Sequence, residues 1–161
     1  MSVDFLEWLQ GTSLAVAVAE DWFPLVEAVH VLTMAIVAGT IFIVDTRLLG
    51  LTSAGLPFSY LSDRLLPWTW WAFAGSVLTG TLMFMSNATG YYGNAPFRLK
   101  MVLLLLAGIN MLIFQKLTFR SVAAWDAGSP PAAARLAGTL SLCLWCGVIG
   151  FGRWIGFVIG K

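Results

Sequence analysis

The run FPLVEAVHVLTMAIVAGTIFIVDTRLL, residues 23–49, has no formally charged side chain between Glu27 and Asp45 and is long enough to cross a bilayer as one helix. Roughly 20 helical residues span the hydrocarbon layer of about 30 Å. Working outward, three more runs meet the same condition, residues 67–85, 97–117 and 136–159. Stretches rich in turn-forming Gly, Pro and Asn separate them at 50–63, 86–95 and 121–134. The pattern predicts an all-α fold: an integral membrane four-helix bundle formed as one membrane domain over residues 1–161.

Composition agrees with that reading. Of 161 residues, 59% are hydrophobic and 11% charged, against about 45–50% and about 25% in soluble domains. That balance excludes a soluble globule. Nine Lys and Arg against eight Asp and Glu leave a net charge of +1, so no nucleic-acid partner is indicated. Eight Trp, eleven Phe and three Tyr suit aromatic belts at the two membrane surfaces. Trp68, Trp70 and Trp71 open the second span and Trp154 closes the fourth.

Ahead of the first span, Phe5, Leu6, Trp8, Leu9 and Leu14 recur at helical spacing beside Asp4, Glu7 and Glu20. Residues 1–20 therefore read as an amphipathic helix lying in the interface. Their acidic start lacks the positive region of a secretory leader and reads as a mature N-terminus. Arg47, Arg64, Lys116, Arg120 and Arg135 flank the first and third connections. By the positive-inside rule these connections are cytoplasmic and both termini face outward, with Arg98, Lys100, Arg153 and Lys161 as the basic residues on the outer side. Small residues four apart, at Ala35 and Gly39, at Ala72, Ser76 and Gly80, and at Gly152, Gly156 and Gly160, mark faces for close helix contact. Contact inside one bundle is the simpler use of these faces; a homo-oligomer through Gly152, Gly156 and Gly160 is the other.

Ionisable groups inside a span are costly and mark function by default. Glu27 and His30 share one face of the first helix, with Met34 one turn further on. The third helix runs the opposite way, so Arg98 and Lys100 at its start return to the depth of His30, as does Arg153 near the end of the fourth. Such a layer can be a self-neutralising structural network. It can equally hold a metal or haem iron on His30, the only histidine, with Glu27 or a backbone carbonyl fixing the tautomer. Arg98 and Arg153 would then pair with haem propionates, and Lys100 would be a third such partner or a sixth ligand. Asp45 and Arg47 read as an interface ion pair or a helix-end anchor, and Asn110 as an interhelical hydrogen bond.

The stretches Glu27-Ala28-Val29-His30-Val31-Leu32, Asp45-Thr46-Arg47-Leu48-Leu49-Gly50 and Phe97-Arg98-Leu99-Lys100-Met101-Val102-Leu103 resemble the small bacterial four-helix membrane proteins grouped around the CopD copper-resistance domain and the HemJ-type protoporphyrinogen oxidases. Asn110 also falls where CopD-like helices often carry an asparagine. The resemblance covers two of four spans and implies a bacterial inner-membrane protein. On the HemJ side it implies a b-type haem held by His30 with Lys100 nearby, and on the CopD side copper handling. With no second histidine, bis-histidine ligation within one protomer is excluded.

The resulting expectation is a haem-binding electron-transfer subunit or membrane oxidoreductase that exchanges electrons with a quinone or a partner protein. Copper handling is the alternative, with Cys143, Cys146, Met34, Met101 and Met111 as soft ligands. The two cysteines also read simply as small packing residues in an apolar run. A cofactor-free structural subunit and a proton path through Glu27, His30 and Lys100 complete the alternatives.

Overall fold

The computed structural model describes residues 3–52, 55–126 and 128–159, and every regular element among them is helical. The helices are α1 (Val3–Gln10), α2 (Ser13–Ala17), α3 (Phe23–Leu48), α4 (Phe58–Ser86), α5 (Ala88–Gly93), α6 (Ala95–Ile113) and α7 (Ala132–Val158). A π-helical stretch at Val18–Trp22 joins α2 to α3, and a second at Phe114–Thr118 carries α6 into a 3-10 segment at Phe119–Ala124. Three of the resulting rods, Ser13–Leu48, Ala95–Ala124 and Ala132–Val158, are long and apolar enough to cross a membrane. Large apolar side chains such as Leu32, Leu105, Leu117 and Leu136 stand exposed along them, a surface suited to lipid.

Several boundaries differ from the sequence reading. The segment expected to lie in the interface over residues 1–20 breaks at Gly11 and Thr12. The Thr12 hydroxyl accepts the Ala15 N–H and starts a new helix, so the first membrane-length rod begins at Ser13 and not at Phe23. Helix α4 starts well before Pro67 and carries that proline in its interior. Its 29 residues extend about 43 Å at 1.5 Å per residue. The early turns are stabilised by a cap from the distant Asp126. Ser59 donates from its backbone N–H to Oδ1 (2.7 Å) and from its hydroxyl to Oδ2 (2.6 Å) of Asp126.

These hydrogen bonds from Ser59, hydroxyl first and then backbone, hold the Asp126 carboxyl below the usual carboxylate range. A carboxylate whose folded pKa is depressed stabilises the fold above its unfolded value, about 3.9. The contribution is lost as pH falls through the lower folded value. Acid unfolding of detergent-solubilised protein below about pH 4 is therefore expected to lose part of its pH dependence in Asp126→Asn. An unchanged acid limb would show that this cap does not contribute.

The long helices pack in a row: α4 against α3, α3 against α7, and α7 against α6. The ends of the row, α4 and α6, scarcely touch along their length. They meet where Phe84 stacks on Phe97 at 5.5 Å and both rings approach Tyr91 of α5. Asn87 caps α5 through Gly90 N–H (3.2 Å), and Asn94 caps α6 through Phe97 N–H (3.1 Å). A Cβ at Gly90 would fall 2.5 Å from Asn87 Oδ1, so a larger residue there would displace the Asn87 cap. Helix α1 packs on α5, with Gln10 Oε1 accepting from the Thr89 backbone N–H (3.3 Å) and hydroxyl (3.1 Å).

At the opposite end Leu48, Phe58, Trp125 and Ala134 form the buried core, ringed by Val44, Phe114, Phe119 and Val122. Arg47 lies beside it, 1% exposed. Its Nε donates to Leu56 O and its Nη2 to Asp126 O, each at 3.1 Å. The expected partnership with Asp45 is not formed: Arg47 is a buried clamp on two loop carbonyls. Helix α3 ends at Gly50, whose φ of 76° is a left-handed conformation that glycine adopts without strain.

Close helix contact falls on a subset of the small residues. Ala72 and Ser76 are buried, and a Cβ at Gly80 would come 3.1 Å from His30, so this stripe faces α3. A Cβ at Gly39 or Gly156 would meet nothing within 4 Å, whereas Gly152 lies against Lys100. Gly160, like Lys161, lies outside the described residues. Asn110 Nδ2 donates to Ala137 O at 3.0 Å, joining α6 to α7. Interhelical hydrogen bonds of this kind contribute about 0.6 kcal/mol on average and at most about 1.7. Asn110→Leu is thus expected to lower stability in an unfolding titration by about that average, and a loss several times larger would point to a role beyond packing.

Candidate functional site

Hydroxyl groups pair across the α3–α4 contact at seven-residue intervals. Thr69 donates to Thr40 at 2.8 Å and Ser76 to Thr33 at 2.9 Å. One turn beyond Ser76, His30 Nδ1 lies 2.9 Å from Thr79 Oγ1. Thr79 also sits 2.8 Å from Gly75 O, to which its hydroxyl donates. With the single hydroxyl proton directed there, the oxygen accepts from His30 Nδ1–H. This assignment leaves Nε2 with a free lone pair, and Nε2 makes no hydrogen bond to any described residue.

The ring edge rests on α4, where a Cβ at Gly80 would fall 3.1 Å from His30 Cε1. From the far side of the row, half-buried Lys100 runs along Gly152, whose Cβ position is 3.6 Å from Nζ, and its ammonium lies within Coulombic reach of His30. His30 and Lys100 thus lie within Coulombic reach of each other across the row. Glu27, Arg98 and Arg153 stand exposed at the same end. Glu27 is within Coulombic reach of Tyr91, and the Arg153 guanidinium lies 5.0 Å over the Phe157 ring. Where Glu27 or a backbone carbonyl one turn earlier was expected to fix the imidazole, the hydroxyl at its Nδ1 is that of Thr79.

Among the proposed copper ligands, Met34 is half-buried on α3 while Cys143 and Cys146 are exposed on α7. Among the described residues no three His, Cys, Asp or Glu side chains gather as a metal cage. A haem iron needs only one or two axial ligands from the protein.

Beneath the His30–Lys100 layer, the gap between α4 and α6 deepens into a cavity of about 560 Å³ backed by α3 and α7. Val37, Phe73 and Leu104 line its outer part. Val37 lies two turns beyond His30 and Leu104 one turn beyond Lys100, each on the same helix face. Asp45 stands at the inner part, 5% exposed, with Oδ2 buried and without a hydrogen-bond partner among the described residues.

Residues 5–158, from within α1 to the end of α7, match the family model of DUF6644. The chain belongs to DUF6644, a family of unknown function. No curated protein and no solved structure matches it. In this DUF6644 chain the matched range includes the His30–Thr79 pair, Lys100 and the whole cavity lining.

Thr79, Ser76 and Thr33 were not among the site residues expected from the DUF6644 sequence. A signal existed for them: Thr33 and Thr40 are seven apart on α3, as Thr69 and Ser76 are on α4. Matched heptad hydroxyls on two apolar helices are the pattern of an interhelical polar seam. Nothing comparable could mark Asp45 as unpaired, because Arg47 two residues on was the obvious partner.

Proposed function

We propose that this DUF6644 protein is a multi-pass membrane protein, α4 supplying a fourth span beside the three apolar rods, that binds one b-type haem through His30. The observation that carries the reading is the Thr79 hydroxyl at His30 Nδ1. Metal-ligating imidazoles are typically held through one nitrogen by a hydrogen bond that fixes the tautomer, leaving the other nitrogen to bind. The donor set fits: Nε2 is free, Lys100 stands near as a sixth ligand or a propionate partner, and Arg98 and Arg153 offer propionate contacts at the exposed edge. The resemblance to HemJ-type and CopD-like proteins points the same way. When bound, the haem supplies one-electron redox chemistry. The chain's own residues orient the imidazole through the hydrogen bond from its Nδ1–H to the Thr79 oxygen.

On this reading the protein is an electron-transfer subunit of a bacterial inner membrane with both termini outside, exchanging electrons with a quinone or a partner protein. Absorption spectra of protein purified in detergent from haem-replete cells test it. The expected result is a Soret band with α and β bands on dithionite reduction, at close to one haem per chain. A colourless protein would overturn the proposal.

A further inference from the structure

The Asp45 cavity lies apart from the His30 centre and has its own chemistry. Two carboxyl side chains, Asp45 and Asp63, line it, and among the described residues no Lys or Arg does. The nearest base in sequence, Arg47, is spent on the carbonyls of Leu56 and Asp126. Asp45 is 5% exposed, and its Oδ2 has no hydrogen-bond partner among the described residues. Burial without a countercharge disfavours the ionised form of such a carboxyl group, and a cation entering the cavity would stabilise that form. The other walls are apolar and aromatic, with Trp70, Phe73, Phe114 and Trp145 among them, and such rings attract a cation placed over their faces. The volume of about 560 Å³ lies within the roughly 300–1,000 Å³ of small-molecule sites. The gap between α4 and α6 gives entry from the side, where lipid would be.

We propose that this cavity binds lipophilic organic cations, with Asp45 as the anionic anchor and the aromatic walls enclosing the apolar body. A bare metal ion fits less well, since hard cations take about six or more oxygen ligands. A neutral lipid chain would fill the space and leave the carboxylate unanswered. The site needs no haem, so its test is independent of the function proposed above.

The test is equilibrium dialysis of the full-length protein in detergent with labelled tetraphenylphosphonium, whose charge is permanent. Tetraphenylborate, nearly the same shape with the opposite charge, is dialysed in a separate experiment as the control. Saturable binding near one cation per chain, with tetraphenylborate alone binding far more weakly, is expected. Asp45→Asn should weaken it about 30-fold or more, the scale for removing one partner of a buried charge pair. Gly108→Phe is the second variant. Gly108 lines the cavity, and a Cβ there meets nothing within 4 Å, so the ring can fill the space with the backbone in place. It too should abolish binding while circular dichroism and size-exclusion behaviour stay those of the parent. Equal affinity for both ions, unchanged binding in folded Asp45→Asn, or unchanged binding in folded Gly108→Phe would each overturn the proposal.

Discussion

Arg47→Ala is expected to destabilise the protein by about 3–5 kcal/mol, a loss comparable to breaking a buried ion pair. The guanidinium joins three parts of the chain that are far apart in sequence. It leaves the last turn of α3, bonds Leu56 O just before α4, and bonds Asp126 O beyond the 3-10 segment. The Asp126 carboxylate supplies the countercharge while capping α4. Hydrogen bonds to charged groups contribute about 1.5–3 kcal/mol each, and two are lost. Asp126 O keeps a second donor, Phe58 N–H at 3.0 Å, whereas Leu56 O is left without the guanidinium.

Arg47→Lys should recover only part of the loss, because a single ammonium cannot reproduce the guanidinium fork. The measurement is unfolding in mixed micelles followed by tryptophan fluorescence, with tryptic cleavage after the exposed Arg120 reporting release of the 119–126 segment. Arg47→Ala within about 1 kcal/mol of the parent would show that the clamp adds no more than a surface ion pair.

What the sequence revealed depended on how far apart the cooperating residues lie. Apolar runs are local, so the helices that form α3, α6 and α7 were legible, with ends wrong by a few residues. The start of α4 was misplaced because Pro67 is a local stop signal, whereas the group that stabilises the preceding turns, Asp126, lies 67 residues from Ser59. Asp45 and Arg47 were paired on the same local grounds. Two residues apart on a helix, their side chains do not face each other, and tertiary packing sent one into a cavity and the other to the loop carbonyls. In the outer layer, equal depth was the ground for grouping His30 with Lys100, and the two lie within Coulombic reach of each other. Depth says nothing about rotation around each helix axis, and this is what leaves Glu27, Arg98 and Arg153 exposed. Thr79 escaped because its part depends on which face of α4 meets α3.

That distinction between depth and facing separates His30 and Thr79 from Glu27 in one experiment. His30→Ala is expected to remove the haem spectrum outright, since no other histidine exists to replace the ligand. Thr79→Val keeps the volume of the side chain and the ligand, but it removes the oxygen that holds Nδ1–H. Loss of such a partner lowers metal affinity about 10–100-fold, so haem should be retained at reduced occupancy, with Thr79→Ser restoring it. Glu27→Gln should leave the affinity at the parent value, because Glu27 is exposed and Thr79 occupies the position it was expected to fill. Haem titration of apoprotein, followed in the Soret region, measures all four variants on one scale. Parent-like affinity in Thr79→Val together with a loss in Glu27→Gln would reverse the assignment and return the imidazole to the carboxylate on its own helix.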